Sequence, residues 1–482
     1  MTLTAERIAA RPLILLGDLV EGDEQVPIRF PFDGTEIARA WLAGEDQIEV
    51  ALEGAAAAER EIAALPPFRR AEILLAAADL VLAREESIAE QMTKETGNAV
   101  WETRFEVQRT AEILRLSADE ARRASAAGEH VPIDAVPRGE GRIGDTRRFP
   151  VGTVLAITPY NAPLLLVAHK LGPALAAGCP CIVRPASKTP LSALTLGEIF
   201  LEAGAPSAAV SVVPCHTDLA ERMVRDERIK MLSFTGSGPV GWHLKRVAAT
   251  PRVTLELGGN GAVIVHEDAN LDYVAERCAF GGFLRAGQAC ISVQRLFVHT
   301  AVYDDLTAKL LTRIQTLTTG NPLDETTVVG GLVSEEAADG AMSLIEEART
   351  AGATVLCGGT REGTVIAPTL LTDVSADLRV CTEEAFAPIV VLERYTDIDE
   401  AIESANRSKF GLQAGLFTND IRIIHRAFER LEVGALIVND VNTFRVDQMP
   451  YGGVKQSGFG REGMRYAIRE MTEERLLVID PR

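Results

Sequence analysis

The sequence predicts an α/β protein with two doubly wound sheet domains, and three observations support this prediction. The chain has 482 residues, which exceeds the length that a single hydrophobic core usually supports. Short apolar runs alternate with helical stretches, a pattern typical of parallel strands joined by crossover helices. This alternation occurs before Glu256 and again after it. We therefore expect two sheets in sequence, each with ligands at the carboxyl ends of its strands.

The individual elements are predicted from apolar spacing. Residues 45–124 are rich in Ala, Leu, Glu and Arg at helical spacing and predict a helical block. Strands of the first sheet are expected at 154–157, 181–183, 210–213, 231–234 and 253–257. Those of the second are expected at 262–265, 296–298, 389–392 and 435–438. A weaker strand signal covers 139–150, and a stronger one covers 475–480 at the end of the chain.

Composition excludes several classes of protein. Hydrophobic residues make up 47% and charged residues 24%, as in ordinary globular proteins. A net charge of −19 argues against nucleic acid or an anionic membrane as a partner. The apolar run 149–168 contains Pro150, Pro159 and Pro163, which favour a buried strand, a turn and a buried helix over a membrane span.

The cysteines indicate a reducing compartment. Seven cysteines are an odd and sparse set in so long a chain, so we expect free thiols and a cytoplasmic location. The first residues lack the charged and apolar progression of a targeting segment. The seven histidines are scattered and Cys179-Pro-Cys181 has no second ligand pair, so we expect no metal site.

Two residues suggest nucleophilic chemistry. Cys290, in Gly-Gln-Ala-Cys, would attack as a thiolate, and a helix N-terminus there would lower its pKa. Glu256 ends a predicted strand among apolar residues, and partial burial would suit it to accept a proton from water. Taken alone, a cysteine beside small residues is more often a buried apolar group than a nucleophile, and the plainer interpretation of Glu256 is a surface carboxylate.

Further motifs surround this pair. Phe234-Thr-Gly-Ser-Gly238 follows a predicted strand and opens a predicted helix, which suits a pyrophosphate. Thr158-Pro-Tyr-Asn161 and Glu383-Glu-Ala-Phe-Ala-Pro388 stand before and after it. In this order, and over nearly the whole chain, the motifs resemble the aldehyde dehydrogenase superfamily. The segments 106–109, 168–170 and 444–453 look most like its lactaldehyde and phosphonoacetaldehyde dehydrogenase branch.

The resemblance implies NAD(P)-dependent oxidation of an aldehyde to an acid, with a role for each matching residue. Cys290 would be the nucleophile and Glu256 the base that activates water. Asn161 and the Cys290 N–H would hold the oxyanion, and Lys170 would help to organise the site. Helix capping by Asn161 and a solvated Lys170 are the alternatives. Cofactor-binding positions would be Thr158, Pro159, Tyr160, Arg184, Ala186, Ser187, Phe234, Gly236, Ser237, Leu257, Glu384 and Phe386.

The resemblance also implies domains and assembly. Two Rossmann-like domains are expected, a cofactor-binding domain from 1–127 and 151–257 and a catalytic domain from 258–447. Segments 128–150 and 466–482 would supply strands that join a neighbouring subunit in a homodimer or homotetramer.

One segment departs from the family pattern. Position 184 is commonly lysine, and position 187 is glutamate in many members that prefer NAD. Here Arg184 and Lys188 flank Ser187, which removes repulsion of a 2′-phosphate and offers donors. NADP, or use of both cofactors, is favoured, although Ser187 is also compatible with NAD alone.

Three residues suggest a small oxygenated or anionic aldehyde. Arg109 interrupts the apolar face of a predicted helix, and His169 and Arg445 lie in regions that line the substrate funnel of the resembled family. The plainer interpretation pairs Arg109 with Glu106 and Arg445 with Asp447, and makes His169 a core histidine.

Two other functions remain open at this point. An acylating semialdehyde dehydrogenase would require coenzyme A, and Glu256 argues against it because that branch tends to lack this glutamate. A catalytically silent structural protein is disfavoured by the presence of Cys290, Glu256 and Asn161 together.

Overall fold

The computed structural model describes residues 10–124, 128–250 and 252–482. Its α-helices are, in chain order, α1 Glu45–Ala64, α2 Pro67–Ala83, α3 Glu85–Thr96, α4 Val100–Ala124, α5 Pro163–Ala177, α6 Pro190–Glu202, α7 Thr217–Val224, α8 Gly238–Val247, α9 Leu271–Phe283, α10 Tyr303–Ile314, α11 Glu335–Thr350, α12 Arg379–Thr382, α13 Ile398–Asn406, α14 Ile421–Arg430 and α15 Met464–Glu470. The predicted helical block is confirmed by α1 to α4.

The strands are short, as expected for sheets interrupted by crossovers. In chain order they are β1 Ala10–Arg11, β2 Leu13–Leu15, β3 Asp18–Val20, β4 Glu24–Arg29, β5 Glu36–Leu42, β6 His130–Val131, β7 Ile143–Pro150, β8 Val154–Ile157, β9 Cys181–Arg184, β10 Val210–Val212, β11 Met231–Thr235, β12 Val253–Glu256, β13 Gly261–Val265, β14 Val293–His299, β15 Thr354–Cys357, β16 Arg361–Glu362, β17 Val365–Ile366, β18 Thr369–Thr372, β19 Ile389–Tyr395, β20 Phe410–Gly411, β21 Gln413–Phe417, β22 Ala435–Val438, β23 Val454–Lys455, β24 Gly458–Phe459 and β25 Thr472–Ile479.

The first large sheet has the order β24-β12-β11-β8-β9-β10-β2-β3. Its five central strands run parallel, and β24, β2 and β3 add antiparallel edges. Thr235 is in register with Glu256, and Phe234 with Ile157. The carboxyl ends of β8, β11 and β12 therefore meet at one edge, where ligands are expected.

The second large sheet has the order β15-β18-β19-β14-β13-β21-β22 and is parallel apart from β15. All four strands predicted for it are present. The sequence did not indicate β21 or β18, because the Gln, Ala and Gly of β21 and the Thr residues of β18 weaken the apolar signal that marks a buried strand.

A separate small sheet has the order β25-β7-β6. Its longest pairing is antiparallel, from Thr472 opposite Pro150 to Ile479 opposite Ile143. Two of its apolar side chains are more than half exposed, Leu476 at 53% and Leu477 at 58%. The strands predicted within 139–150 and 475–480 are thus confirmed as β7 and β25, which pair with each other.

The hydrophobic core divides between the two large sheets. One buried cluster packs α2 to α6 on the first sheet, and another packs α9 to α11 on the second. The strand β24 belongs to the first sheet although it follows the whole second sheet in sequence. The domain boundaries predicted above stay a prediction. Among the described residues, no helix is both long enough and apolar enough to cross a membrane.

Candidate active site

A cavity opens at the carboxyl edge of the first sheet and holds about 800 Å³ of space free of atoms, part of it open to solvent. The predicted site residues that line it are Pro159, Tyr160, Asn161, Gly236, Ser237, Glu256, Leu257, Cys290, Glu384, Phe386 and Arg445. Residues predicted for the site that do not line this cavity are Arg109, Thr158, His169, Lys170, Arg184, Ala186, Ser187 and Phe234. The structure thus places three predicted groups around one cavity: the Cys290 thiol, the Glu256 carboxyl group and the Asn161 amide.

Cys290 lies in a turn between a kinked segment and β14. The kink requires Gly287, whose φ is 74° and whose added Cβ would lie 2.0 Å from the Ala387 carbonyl oxygen. The Cys290 Sγ lies 3.0 Å from the Tyr451 hydroxyl. Burial raises the pKa of the Cys290 thiol to about 11. No helix begins at Cys290, so the expectation that a helix N-terminus lowers this pKa is wrong.

Glu256 is the last residue of β12 and is 4% exposed. Neither of its carboxyl oxygens has a hydrogen-bond partner. Burial, and then the nearby Glu462 carboxylate, raise the pKa of Glu256 well above its usual range. A Cβ added to Gly452 would lie 2.8 Å from Glu256 Oε1, so glycine is needed for this close approach. The result is a buried carboxyl group that faces the cavity with unused lone pairs.

Asn161 immediately precedes the α5 N-cap residue, Ala162. Its side-chain Nδ2 donates to the carbonyl oxygen of Gln288 at 2.9 Å, and Gln288 lies two residues before Cys290. Its own carbonyl accepts from Asn98 Nδ2 at 3.1 Å. The alternative that Asn161 caps α5 is therefore wrong, and its amide points to the loop that carries the thiol.

Lys170 lies on α5, a helix that is buried along its entire length. Its ammonium donates to Glu462 Oε1 and to Ser233 Oγ, each at 3.0 Å. Burial alone would raise the pKa of Glu462, but Lys170 and other cations lower it to about 2. The alternative of a solvated lysine is wrong because Lys170 is 1% exposed.

One side of the cavity fits a dinucleotide. Ser237 is the N-cap of α8, and the Thr235 hydroxyl beside it is buried without a partner. Glu384 accepts one hydrogen bond, from the Gly259 N–H at 3.0 Å, and burial raises its pKa to about 7. A helix N-terminus attracts phosphate, and a carboxylate with spare lone pairs can accept from ribose hydroxyls. Tyr160 meets Phe386 edge to face, with ring centroids 6.0 Å apart.

Arg184 and Ser187 lie next to this region, at the carboxyl end of β9. Arg184 is the last residue of that strand, and its Nη2 lies 3.1 Å from Ser187 Oγ and 2.9 Å from the Cys215 carbonyl oxygen. The Arg184 carbonyl accepts from the Thr158 N–H at 3.2 Å, which joins the turns after β8 and β9. Ser187 is exposed, so its hydroxyl and the guanidinium are open to a ligand.

Asp447 connects the three residues that sequence reasoning suggested for the substrate. Arg109 donates to its two oxygens at 2.6 Å and 3.2 Å, and His169 Nε2 lies 3.1 Å from Oδ1. Arg445 Nε lies 3.8 Å from the same oxygen. The predicted alternative of an Arg109–Glu106 pair is wrong, since Glu106 is paired with Arg285 at 2.9 Å.

Arg445 is the cation of this group that lines the cavity. Its side chain is 8% exposed, and its Nη2 lies 3.5 Å from Glu462 Oε2. Burial and Arg445 lower the pKa of His169, which keeps the imidazole neutral. Arg109, Arg445 and Lys170 then face the carboxylates of Asp447 and Glu462, whose pKa values are lowered, with the Glu256 carboxyl group nearby. Arg445 therefore presents a buried cation to an anion in the cavity.

Three functional residues were not found from the sequence. Asp447 was considered only as a partner of Arg445, Tyr451 only as part of the segment 444–453, and Glu462 was not considered. A signal was present in Tyr451-Gly-Gly, because two glycines after an aromatic residue suggest close backbone approach. Their partners lie far away in the chain, 161 residues for Cys290 and Tyr451, so local spacing could not reveal the contacts.

Comparisons with known proteins agree with this geometry. Residues 19–477 match the model of the aldehyde dehydrogenase family. A 3-sulfolactaldehyde dehydrogenase from Priestia aryabhattai is 46% identical over 415 residues, which cover 86% of this chain and 87% of that protein.

Two solved structures extend the comparison. Aldehyde dehydrogenase 21 from Physcomitrella patens, in complex with the reaction product succinate, has a TM-score of 0.95 and 39% identity, with 98% of each chain covered. The NADP-dependent glyceraldehyde-3-phosphate dehydrogenase from Bacillus halodurans C-125, complexed with NADP, has a TM-score of 0.95 and 34% identity, covering 98% of this chain and 99% of that one.

Proposed function

The chain belongs to the aldehyde dehydrogenase family, and from this premise we propose that it oxidises small aldehydes bearing an anionic group. The enzyme class is NAD(P)-dependent oxidation of an aldehyde to its carboxylic acid. The observation that carries the substrate proposal is Arg445, a buried cation in the same cavity as Cys290 and Glu256.

The proposed reaction begins at Cys290. After the thiol releases its proton to water, the thiolate sulfur bonds to the aldehyde carbon, and the oxyanion that forms is held by the Asn161 amide and the Cys290 N–H. An oxidised nicotinamide held at this site would supply the hydride acceptor, and loss of hydride from that carbon leaves a thioester on Cys290. The residues that hold the dinucleotide in this proposal are those of the turns after β8, β9 and β11, with Glu384 and Phe386.

Glu256 completes the reaction by hydrolysis. Glu256 lines the cavity and both of its oxygens lack a partner, so its carboxylate can accept a proton from a water molecule as that water attacks the thioester carbon. The carbon–sulfur bond then breaks, and the acid leaves. Lys170 supports the cavity wall indirectly. Glu462 lines the cavity, and the Lys170 ammonium donates a hydrogen bond to one Glu462 oxygen and so holds that side chain in place.

The substrate assignment has two supports. The buried Arg445 guanidinium at the cavity wall favours an anion, since a guanidinium pairs readily with carboxylate, sulfonate or phosphate groups. The 3-sulfolactaldehyde relative and the succinate-bound neighbour both involve such groups. In this assignment Arg445 meets the anion, whereas Arg109 and His169 hold Asp447 and thereby position Arg445.

One contact, between Arg184 and Ser187, favours NADP over NAD as the cofactor. Arg184 and Ser187 together present a guanidinium and a hydroxyl where glutamate would repel a 2′-phosphate. The 3.1 Å distance between them is compatible with a phosphate oxygen bound by both.

Assembly and location are further parts of the proposal. The exposed apolar side chains of β25, Leu476 to Ile479, support a homodimer or homotetramer formed through the small sheet. The seven free cysteines support a reducing, cytoplasmic location. Sedimentation analysis would test the assembly, with a monomer at micromolar concentration as the contrary result.

The function is tested by initial rates of reduced nicotinamide formation. Succinic semialdehyde is oxidised without coenzyme A under this proposal, and the product is succinate. A strict requirement for coenzyme A, with a thioester product, would identify an acylating enzyme. Absence of turnover with every aldehyde and both cofactors would favour a silent protein that keeps the fold.

A further inference from the structure

Tyr451 contacts the thiol directly. Its hydroxyl lies 3.0 Å from Cys290 Sγ, and the residue is 2% exposed at the wall of the cavity. Its backbone is fixed from both sides by Glu462, whose carbonyl accepts from the Tyr451 N–H at 3.1 Å and whose N–H donates to the Tyr451 carbonyl at 2.7 Å. The hydroxyl is therefore held in place rather than swinging in solvent.

The chemistry of the pair gives the contact a direction. A thiol and a phenol can each donate to the other, but a thiolate can only accept. A hydrogen bond from the phenol therefore stabilises the charged form of Cys290 more than the neutral form. Hydrogen bonds to an ionised group are also stronger than those between neutral groups.

Arg445 strengthens this donor. The centre of its guanidinium lies 3.6 Å from the centroid of the Tyr451 ring. A cation over an aromatic face is attracted by the π electrons and draws density from the ring. The O–H group becomes more polar as a result, while burial and the thiol raise the pKa of Tyr451 well above its usual range. The phenol thus donates a hydrogen bond and retains its proton.

We propose that the Tyr451 hydroxyl is a catalytic hydrogen-bond donor that stabilises the Cys290 sulfur as an anion, both before attack and when it leaves the thioester. This inference rests on the proposed role of Cys290 as nucleophile. When the carbon–sulfur bond forms, the sulfur charge is consumed. When that bond breaks, the electron pair returns to sulfur and the Tyr451 O–H donates to it again. No proton moves from Tyr451 in either step.

Four groups face the Cys290 thiol and set its charge. Tyr451 and Arg445 favour the thiolate, whereas Glu384 and Glu256 oppose it when ionised. Burial acts against the thiolate and has the largest effect on its pKa. Tyr451 is thus one of two groups that offset the cost of burying the charged sulfur.

The test is the pH dependence of Cys290 alkylation in the full-length enzyme. Iodoacetamide is the probe, and mass spectrometry of the Cys290 peptide gives the rate. Tyr451→Phe keeps the ring and its contact with Arg445 but removes the donor. We expect alkylation about tenfold slower at each pH between about 8.5 and 10, equal to an upward shift of about one pH unit. Above pH 8.5 Glu384 is ionised, since burial raises its pKa to about 7.

The matched control is Tyr395→Phe, which removes another buried hydroxyl, one that donates to the Val265 carbonyl at 3.2 Å far from the thiol. Its Cys290 profile should equal that of the wild type. Introducing 3-fluorotyrosine at position 451 makes the phenol a stronger donor and should speed alkylation. A role in packing alone would not give opposite shifts from these two replacements of Tyr451.

Two outcomes separate this inference from the proposed function. If Tyr451→Phe and the fluorinated enzyme both alkylate at the wild-type rate while the wild type oxidises aldehydes, the donor role of Tyr451 is overturned and the function stands. If the wild type oxidises no aldehyde, the proposed function fails, and the alkylation series still decides whether Tyr451 tunes the thiol. Should Tyr451→Phe not fold, the fluorinated enzyme alone decides.

Discussion

Replacing Arg445 with methionine removes the cation that the proposed substrate anion meets. Methionine keeps an apolar side chain of similar length in a site where the arginine is 8% exposed. The two neighbouring carboxylates each retain a cation, since Asp447 remains bonded to Arg109 and Glu462 to Lys170. We therefore expect the variant to fold.

The size of the effect follows from the charges around Arg445. Two unit charges 4 Å apart attract by about 4 kcal/mol at the dielectric constant that describes partly buried sites. Glu462 at 3.5 Å and Asp447 at 3.8 Å already share part of the Arg445 charge, which reduces its attraction for a third anion. We expect a loss of about 2.7 kcal/mol, or about 100-fold in kcat/KM, for an anionic aldehyde.

The assay compares succinic semialdehyde with its uncharged methyl ester. Loss of Arg445 also weakens its contact with Tyr451, and this part of the effect slows both substrates alike. The anion-specific part is the ratio of the two kcat/KM values, which should fall about 100-fold in Arg445→Met. Arg104→Met is the matched control, because Arg104 makes exposed ion pairs with Glu86 and Glu325 and lies outside the cavity. An unchanged ratio in Arg445→Met would refute the anion site.

Three other changes give distinct results. Glu256→Gln should release one equivalent of reduced nicotinamide in a burst and then stall, with a thioester on Cys290 visible by intact mass; steady turnover at the wild-type rate would contradict its role as base. Ser187→Glu should lower kcat/KM for NADP relative to NAD by at least about tenfold through repulsion of the 2′-phosphate, measured with one aldehyde; an unchanged ratio would place cofactor choice elsewhere. Lys170→Met should cost about 2 kcal/mol in urea unfolding at pH 7, because it removes the nearer of two cations beside the buried Glu462 and leaves Arg445 at 3.5 Å. The pKa of Glu462 is lowered to about 2, so its stabilisation is present above the unfolded value of 4.5 and is lost as pH falls through about 2; a stability difference that grew at low pH would contradict this sign.

The sheet strands were predictable where the chain is uniformly apolar. Val154–Ile157 and Ala435–Val438 were predicted with their observed bounds because every residue in them is apolar. Edge strands such as β3 and β24 were not predicted. The side chains of β3 are partly exposed, and β24 has only two residues. Their positions depend on pairing with residues distant in sequence, which no local pattern records.

The grouping of the three candidate reacting residues in one place was predictable for a different reason. Cys290, Glu256 and Asn161 stand in short motifs whose order is diagnostic, and all three line one cavity. The substrate residues were found only in part. Arg109 was suggested as a substrate contact, with a pair to Glu106, three positions away, as the plainer alternative, and it does not line the cavity. It pairs instead with Asp447, 338 residues later. Charge pairing between residues so far apart in the chain depends on the finished fold, so helical spacing cannot predict it.

The most direct test of the central claim is the rate of NADPH formation from succinic semialdehyde by the wild type and by Cys290→Ser, each beside the uncharged methyl ester. The account predicts turnover by the wild type, a strong preference for the anionic aldehyde, and loss of turnover with both substrates in Cys290→Ser. Equal rates on the two aldehydes would contradict the anion site. Undiminished turnover by Cys290→Ser would contradict the chemistry assigned to this cavity.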